Sequence, residues 1–286
     1  LLLLLAAAVA GKASAAAPRV WEFTEQHDVS YGPQPKEVGD LYVPAGPRSG
    51  LRPAVIVIHG GGWINGQRST NSWLSTLIAA RGFVVFNIDY TLGEADKPPT
   101  YWPAPLADAQ LAVRWLRAHA KEFQIDPARL GAVGDSAGGT LAVFLGVLDH
   151  PIPSSQAHLL DQEKSNVQAV VSAFGVMDLA ALGDSASVML DGMFGSKTPP
   201  ANAVQAVSPL PLVTNRAAPM FLVHGDSDNF VPIEQSQRLL QTLQSHQVTA
   251  SLSIYAGGHG FEGARSADIN AIFAQEVAWL GERLRP

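Results

Sequence analysis

An α/β fold, with a mostly parallel central sheet flanked by helices on both faces, follows from three features of the sequence. Short β-branched runs alternate with amphipathic stretches along most of the chain. Two of the runs, AVIVIH (54–59) and FVVFNID (83–89), are continuously apolar, as strands covered on both faces must be. The chain has 286 residues, 47% hydrophobic against 15% charged, which is enough apolar side chain for a sizeable core and too much for disorder. A single domain over 18–286 is expected, since α/β folds commonly run to roughly 200–300 residues.

Taken in order, residues 20–30 and 36–43 read as two early strands, with YGPQP between them as an antiparallel turn. Between the strands at 54–59 and 83–89, Trp73, Leu74, Leu77 and Ile78 recur at helical spacing, and Gly82 stands where a C-cap belongs. A helix over 105–123 puts Leu111, Trp115 and Leu116 inward. RLGAVG (129–134) is then a strand and 136–148 a helix. After a polar connection (149–166), the strands VQAVVSAF, PMFLVHG and VTASLSIY and helices near 233–245 and 267–284 complete the alternation. No internal repeat is present. The segment 178–216, with Met189, Leu190, Met193 and Phe194, reads either as a small lid or as helices packed on the sheet.

Composition excludes several roles. A net charge of −6 with no Lys/Arg run gives no electrostatic footing for nucleic acid or an anionic membrane. Without cysteine there is no disulfide and no thiolate metal site, and nothing groups His27, His119, His150, His158, His224 or His246 as metal ligands. Residues 1–17 read as part of a signal peptide with its cleavage region. Leu1 to Ala10 are apolar, too few for the ~20 residues of a stable membrane span, and Ala13-Ser14-Ala15 has the small-x-small form of a cleavage site. The expected location is secreted or periplasmic.

The chemistry concentrates in three places. Gly134-Asp135-Ser136-Ala137-Gly138 fits G-x-S-x-G on a strand-to-helix turn, where small neighbours let a sharp bend hold the serine hydroxyl above the sheet edge. HGGGW (59–63) directly follows an apolar strand, and its glycines let backbone N–H groups approach a substrate closely. Gly61 and Gly62, joined by the N–H of Ala137, are the candidate oxyanion donors, while His59 is expected to brace the loop. HGDSDNFVP (224–232) and GGHGF (257–261) offer an acid and a base, because a serine needs an imidazole to accept its proton and the imidazole needs a carboxylate. Ser136, Asp228 and His259 form the candidate triad, with Asp226 a rival for the acid. Trp63, Trp102 and Phe174 are candidate substrate contacts, and core packing is the alternative for each.

With these motifs in order, and DYTLG (89–93) and YWPAPLADAQLAVRWLRAHAKEFQIDPARLGAVGDSAGG between them, the chain resembles α/β-hydrolases of the hormone-sensitive-lipase-like and BD-FAE-type esterase group. The resemblance implies the α/β-hydrolase fold, Ser136 as nucleophile, Asp228 as acid, His259 as base and an oxyanion hole at Gly61, Gly62 and Ala137. It departs at Tyr90-Thr91, where these families carry Tyr-Arg, so the brace that the arginine supplies is absent or replaced. The expected activity is a serine carboxylesterase on short-chain or aromatic-acid esters, free or linked to polysaccharide, with no cofactor. An amidase of the kynurenine-formamidase type and a catalytically silent binding protein on the same fold are the alternatives. Oligomeric state is not legible.

Overall fold

The computed structural model of the protein describes residues 20–46, 50–93, 102–154 and 158–285; the signal-like segment 1–17 lies outside them. Eight strands form one sheet: β1 (Phe23–Ser30), β2 (Val38–Pro44), β3 (Arg52–Ile58), β4 (Val84–Ile88), β5 (Ile125–Asp135), β6 (Ala169–Ala173), β7 (Met220–Gly225) and β8 (Ala250–Tyr255). Their spatial order is β1-β2-β4-β3-β5-β6-β7-β8. Only the β1–β2 and β2–β4 pairs are antiparallel; from β4 through β3 to β8 all run parallel.

The apolar runs become the sheet centre because period-two alternation there feeds two cores at once. Ala54, Ile56 and Ile58 of β3 join one core, and Val55 and Val57 the other. The first is covered by α2 (Ala104–Ala118), α3 (Ala137–Val147), α4 (Ser187–Phe194) and α6 (Glu234–Ser245) through Leu111, Leu141, Met189 and Leu239. The short α5 (Ala201–Ala206) contributes Val204 at its margin. The second is covered by α1 (Ser72–Ala79) and α7 (Ser266–Leu284), through Leu74, Ile78, Phe273 and Leu280.

Three local readings change. β5 starts at Ile125, four residues before RLGAVG, because Ile125 pairs with Arg52 of β3 across a register shift. α2 stops at Ala118, and residues 119–123 turn back so that the Ile125 N–H donates to Ala120 O (2.8 Å) and the Phe123 ring lies 5.9 Å from Trp115. Trp73 shares the helical spacing of Leu74 and Ile78 but is 47% exposed, set edge-on to Phe273 at 4.2 Å. In 178–216, Met189, Leu190 and Met193 of α4 are core residues, while Val188 is exposed.

One charge on α7 stands out. Glu276 is 2% exposed, and burial first, then the nearby negative charge of Asp135, push its carboxyl up to about 8. The folded chain therefore holds this proton more tightly than the unfolded chain, where a glutamate titrates near ~4.3. Stability from this group is complete below the unfolded value and is lost as pH rises toward 8. Glu276→Gln removes that dependence. In denaturant titrations the variant should gain on the parent between about pH 5 and pH 8, reaching on the order of a few kcal/mol. A constant difference across that range would show that Glu276 does not carry the buried proton.

Candidate active site

The turn between β5 and α3 sets the site. Ser136 has φ 50° and ψ −119°, a backbone conformation that L-residues rarely adopt. Its N–H donates to Ala173 O at the end of β6 (2.8 Å), which ties the turn to the sheet. Glycine is required on both sides by close approach. A Cβ on Gly134 would lie 2.2 Å from Gly138 O, and one on Gly138 would lie 2.1 Å from Ile58 O. The α3 N-terminus is thereby pressed against the end of β3, where the glycine loop begins.

Gly61 (φ 114°) and Gly62 (φ 62°) turn that loop, and a Cβ on Gly61 would meet Asn65 O at 2.0 Å. Among the described residues none accepts from the N–H groups of Gly61, Gly62 or Ala137. His59 faces away from the serine. It is buried, its Nδ1 donates to Gly60 O (2.6 Å), its ring stacks on Tyr90 at 4.3 Å, and burial lowers its pKa. The Tyr90 hydroxyl donates to His59 O (2.9 Å). Asp89, just before the divergent Tyr90-Thr91, is paired by Arg68, which also reaches Asp40 (2.9 Å) and Asp28. An arginine from beyond the glycine loop thus braces the segment just before Tyr90-Thr91.

His259, on the loop after β8, meets the serine: its Nε2 accepts from Ser136 Oγ at 2.9 Å, and its Nδ1 donates to Asp228 Oδ2 at 2.7 Å. Asp226 points elsewhere, accepting from the Gly257 N–H (3.1 Å) and the Ser227 hydroxyl (2.9 Å) in the turn. Burial would raise the Asp228 carboxyl. The hydrogen bonds from His224, His259 and the Val231 N–H together outweigh it and hold the group well below the usual carboxylate range. His224 is a residue that sequence reasoning set aside. It is fully buried with Nε2 donating to Val231 O (2.8 Å) and standing 3.4 Å from Asp228 Oδ2, and Ser236 on α6 holds its Nδ1 at 2.7 Å. Its i,i+4 spacing to Asp228 was the available signal.

A cavity of about 450 Å³ opens beside Ser136 and His259, walled by Ile64, Phe174, Val188, Met189 and Phe230. Phe174 is thus in the pocket, edge-on to His259 at 4.9 Å. Trp63 and Trp102, expected as substrate contacts, are not. The positive φ of Trp63 (63°) turns its indole under the loop into the core, where it is 0% exposed and set edge-on to Trp102 at 6.4 Å. Trp102 packs on Phe144 (5.5 Å) and lines a separate groove. Among the described residues no group of three or more His, Asp or Glu could hold a metal, and no helix is long and apolar enough to cross a membrane.

The family model for BD-FAE matches residues 39–243, which include the glycine loop, Ser136 and Asp228. The chain belongs to the BD-FAE family. Esterase LipC of Mycobacterium tuberculosis is 27% identical over 270 residues, covering 89% of this BD-FAE chain and 66% of LipC. Matches to other curated relatives cover 48% and 55% of their length, so the chain spans about half to two thirds of such relatives. Among solved structures, a truncated carbohydrate esterase from gut microbiota superposes with a TM-score of 0.73 at 26% identity, covering 92% of this chain and 99% of that one. Propionate-bound esterase 2 of Thermogutta terrifontis gives 0.73 at 25% identity, covering 93% and 96%.

Gly138→Ala places a methyl group against the Ile58 carbonyl, which a β-strand backbone cannot yield. The variant of this BD-FAE protein should lose about 3 kcal/mol or more of stability, or fail to fold. Gly260→Ala, where a Cβ meets nothing within 4 Å, should cost about 1 kcal/mol through its positive φ alone. Chemical denaturation of the pair measures the contrast, and equal losses would show that close packing is not what the elbow requires.

Proposed function

We propose that the protein is a serine carboxylesterase that cleaves short-acyl esters through an acyl-enzyme. The observation that carries this reading is the hydrogen-bonded path from Asp228 through His259 to Ser136, in a pocket lined by Gly61 and Gly62, whose N–H groups, like that of Ala137 next to the serine, have no acceptor among the described residues. Ser136 Oγ attacks the ester carbonyl as His259 Nε2 takes its proton, and Asp228 stabilises the imidazolium. The oxyanion accepts from the N–H groups of Gly61, Gly62 and Ala137, each such donor being worth roughly 3–4 kcal/mol in comparable sites. Collapse breaks the bond to the alkoxy group, which leaves with the proton from His259. Water then adds to the acyl-serine, giving its proton to the same imidazole, and collapse breaks the Ser136 Oγ–acyl bond as His259 returns that proton to Oγ and the acid is released.

Two things support short acyl chains. The pocket is lined by apolar side chains, Met189 and Phe230 among them, with a volume of about 450 Å³, and a structural relative holds propionate. Val188 and Met189 line the pocket, and on this reading α4 serves as its small lid. The carbohydrate esterase likeness and the signal-like 1–17 favour an ester on extracellular or periplasmic saccharide material over N-formylkynurenine.

On p-nitrophenyl esters, turnover should be greatest at two to six acyl carbons and low at twelve, with N-formylkynurenine poor. Equal kcat/KM on N-formylkynurenine would overturn the ester assignment. Ser136→Ala should lower kcat by on the order of 10⁴–10⁶ in a folded protein. Asp228→Asn should cost on the order of 10³–10⁴ through the wrong imidazole tautomer, and Asp226→Asn only a few-fold.

A further inference from the structure

A second chamber, of about 260 Å³, adjoins the catalytic pocket on the side of α1 and α7 and shares Asp135, Phe174 and Gly260 with it. The hydrolytic mechanism uses neither this space nor the acid that lines it. Glu276 is 2% exposed, and its Oε2 has no hydrogen-bond partner among the described residues. Asp135 is the other ionisable side chain in the lining; one oxygen accepts from Asn71 (2.7 Å). No lysine, arginine or histidine lines the chamber.

The remaining walls are aromatic. Phe174 and Phe261 meet edge-to-face at 5.3 Å, Phe261 and Phe273 at 5.2 Å, and Phe273 and Trp73 at 4.2 Å. This row runs from the serine side to Trp73, which is half-exposed. Ring faces are electron-rich and attract cations, most strongly where water is excluded.

We propose that this chamber is a binding subsite for a primary ammonium group, held by Glu276 and Asp135 while the ligand's carbon frame packs on the aromatic row. Glu276 is buried with one oxygen short of a donor and no opposing charge in the lining. Asp135 beside it is half-buried, with donors only from Asn71 and the Gly60 N–H among the described residues, and an ammonium brings three donors and no acceptor. A hydroxyl brings one donor and no charge to set against Asp135. Because burial and Asp135 push the Glu276 carboxyl up to about 8, ionising it at pH 7 costs about tenfold in affinity, which a cation in contact with both acids repays. Thr70, Asn71 and residues of α1, β5, β6, α7 and the turn at Gly260 and Phe261 complete the lining, and the titrating groups that act on Asp135 from outside the chamber are His59 and His259.

The test needs no catalysis and stands apart from the ester reading. Benzylammonium and its neutral near-isostere benzyl alcohol are titrated calorimetrically at pH 7 into the full chain and into Ser136→Ala, and then into Glu276→Gln. The ammonium should bind both of the first two proteins at least tenfold more tightly than the alcohol, and Glu276→Gln should erase that preference. The alcohol binding as well as the ammonium would make the chamber a hydroxyl site and overturn the proposal. So would a preference that survives Glu276→Gln, or no binding of either compound. Loss of ester hydrolysis in Ser136→Ala with ammonium binding intact is expected, and hydrolysis persisting there would count only against the esterase reading.

Discussion

The strained backbone of Ser136 is the constraint on which the site depends. A residue at φ 50° and ψ −119° costs about 1–3 kcal/mol relative to an ordinary conformation. It persists because β5 and α3 are fixed independently, β5 between β3 and β6 and α3 within the first core. The two glycines beside it let α3 start in contact with the end of β3. Ile58 stands in register with Gly134, so the glycine loop leaves the sheet beside the elbow. Parallel strands then do the rest. β7 and β8 end at the same edge, which is why loops carrying Asp228 and His259, far from Ser136 in sequence, reach it.

Two carboxylates near this edge show how local donors decide charge in a buried setting. Asp228 is surrounded by donors from His224, His259 and the chain at Phe230 and Val231, and stays ionised despite burial. Glu276 has burial without donors and keeps its proton toward pH 8. The contrast separates a carboxylate kept charged by its hydrogen-bond donors from an acid kept protonated by burial without them.

The sheet and the three facing loops were legible because their signals are local: continuous apolar runs, glycine triplets and a serine between glycines. The choice between Asp228 and Asp226 was not decidable from spacing, since both follow β7, and hydrogen bonding to the turn or to the imidazole separates them. Trp63 and Trp102 misled because sequence adjacency to the glycine loop says nothing about direction; the positive φ at Trp63 sends its ring inward. His224 and Glu276 were overlooked for a related reason. Each lies in a segment that reads as ordinary strand or helix, and their meaning comes from partners on β5, α6 and the 228–231 turn that only the fold assembles.

The central claim is that the path from Asp228 through His259 activates Ser136. Labelling the intact protein with a fluorophosphonate, followed by intact-mass measurement and peptide mapping, tests it most directly. The account predicts one adduct per chain, on Ser136, formed at a rate that falls by several orders of magnitude in folded His259→Ala. An adduct on a different residue, or labelling of Ser136 at an undiminished rate without His259, would contradict it.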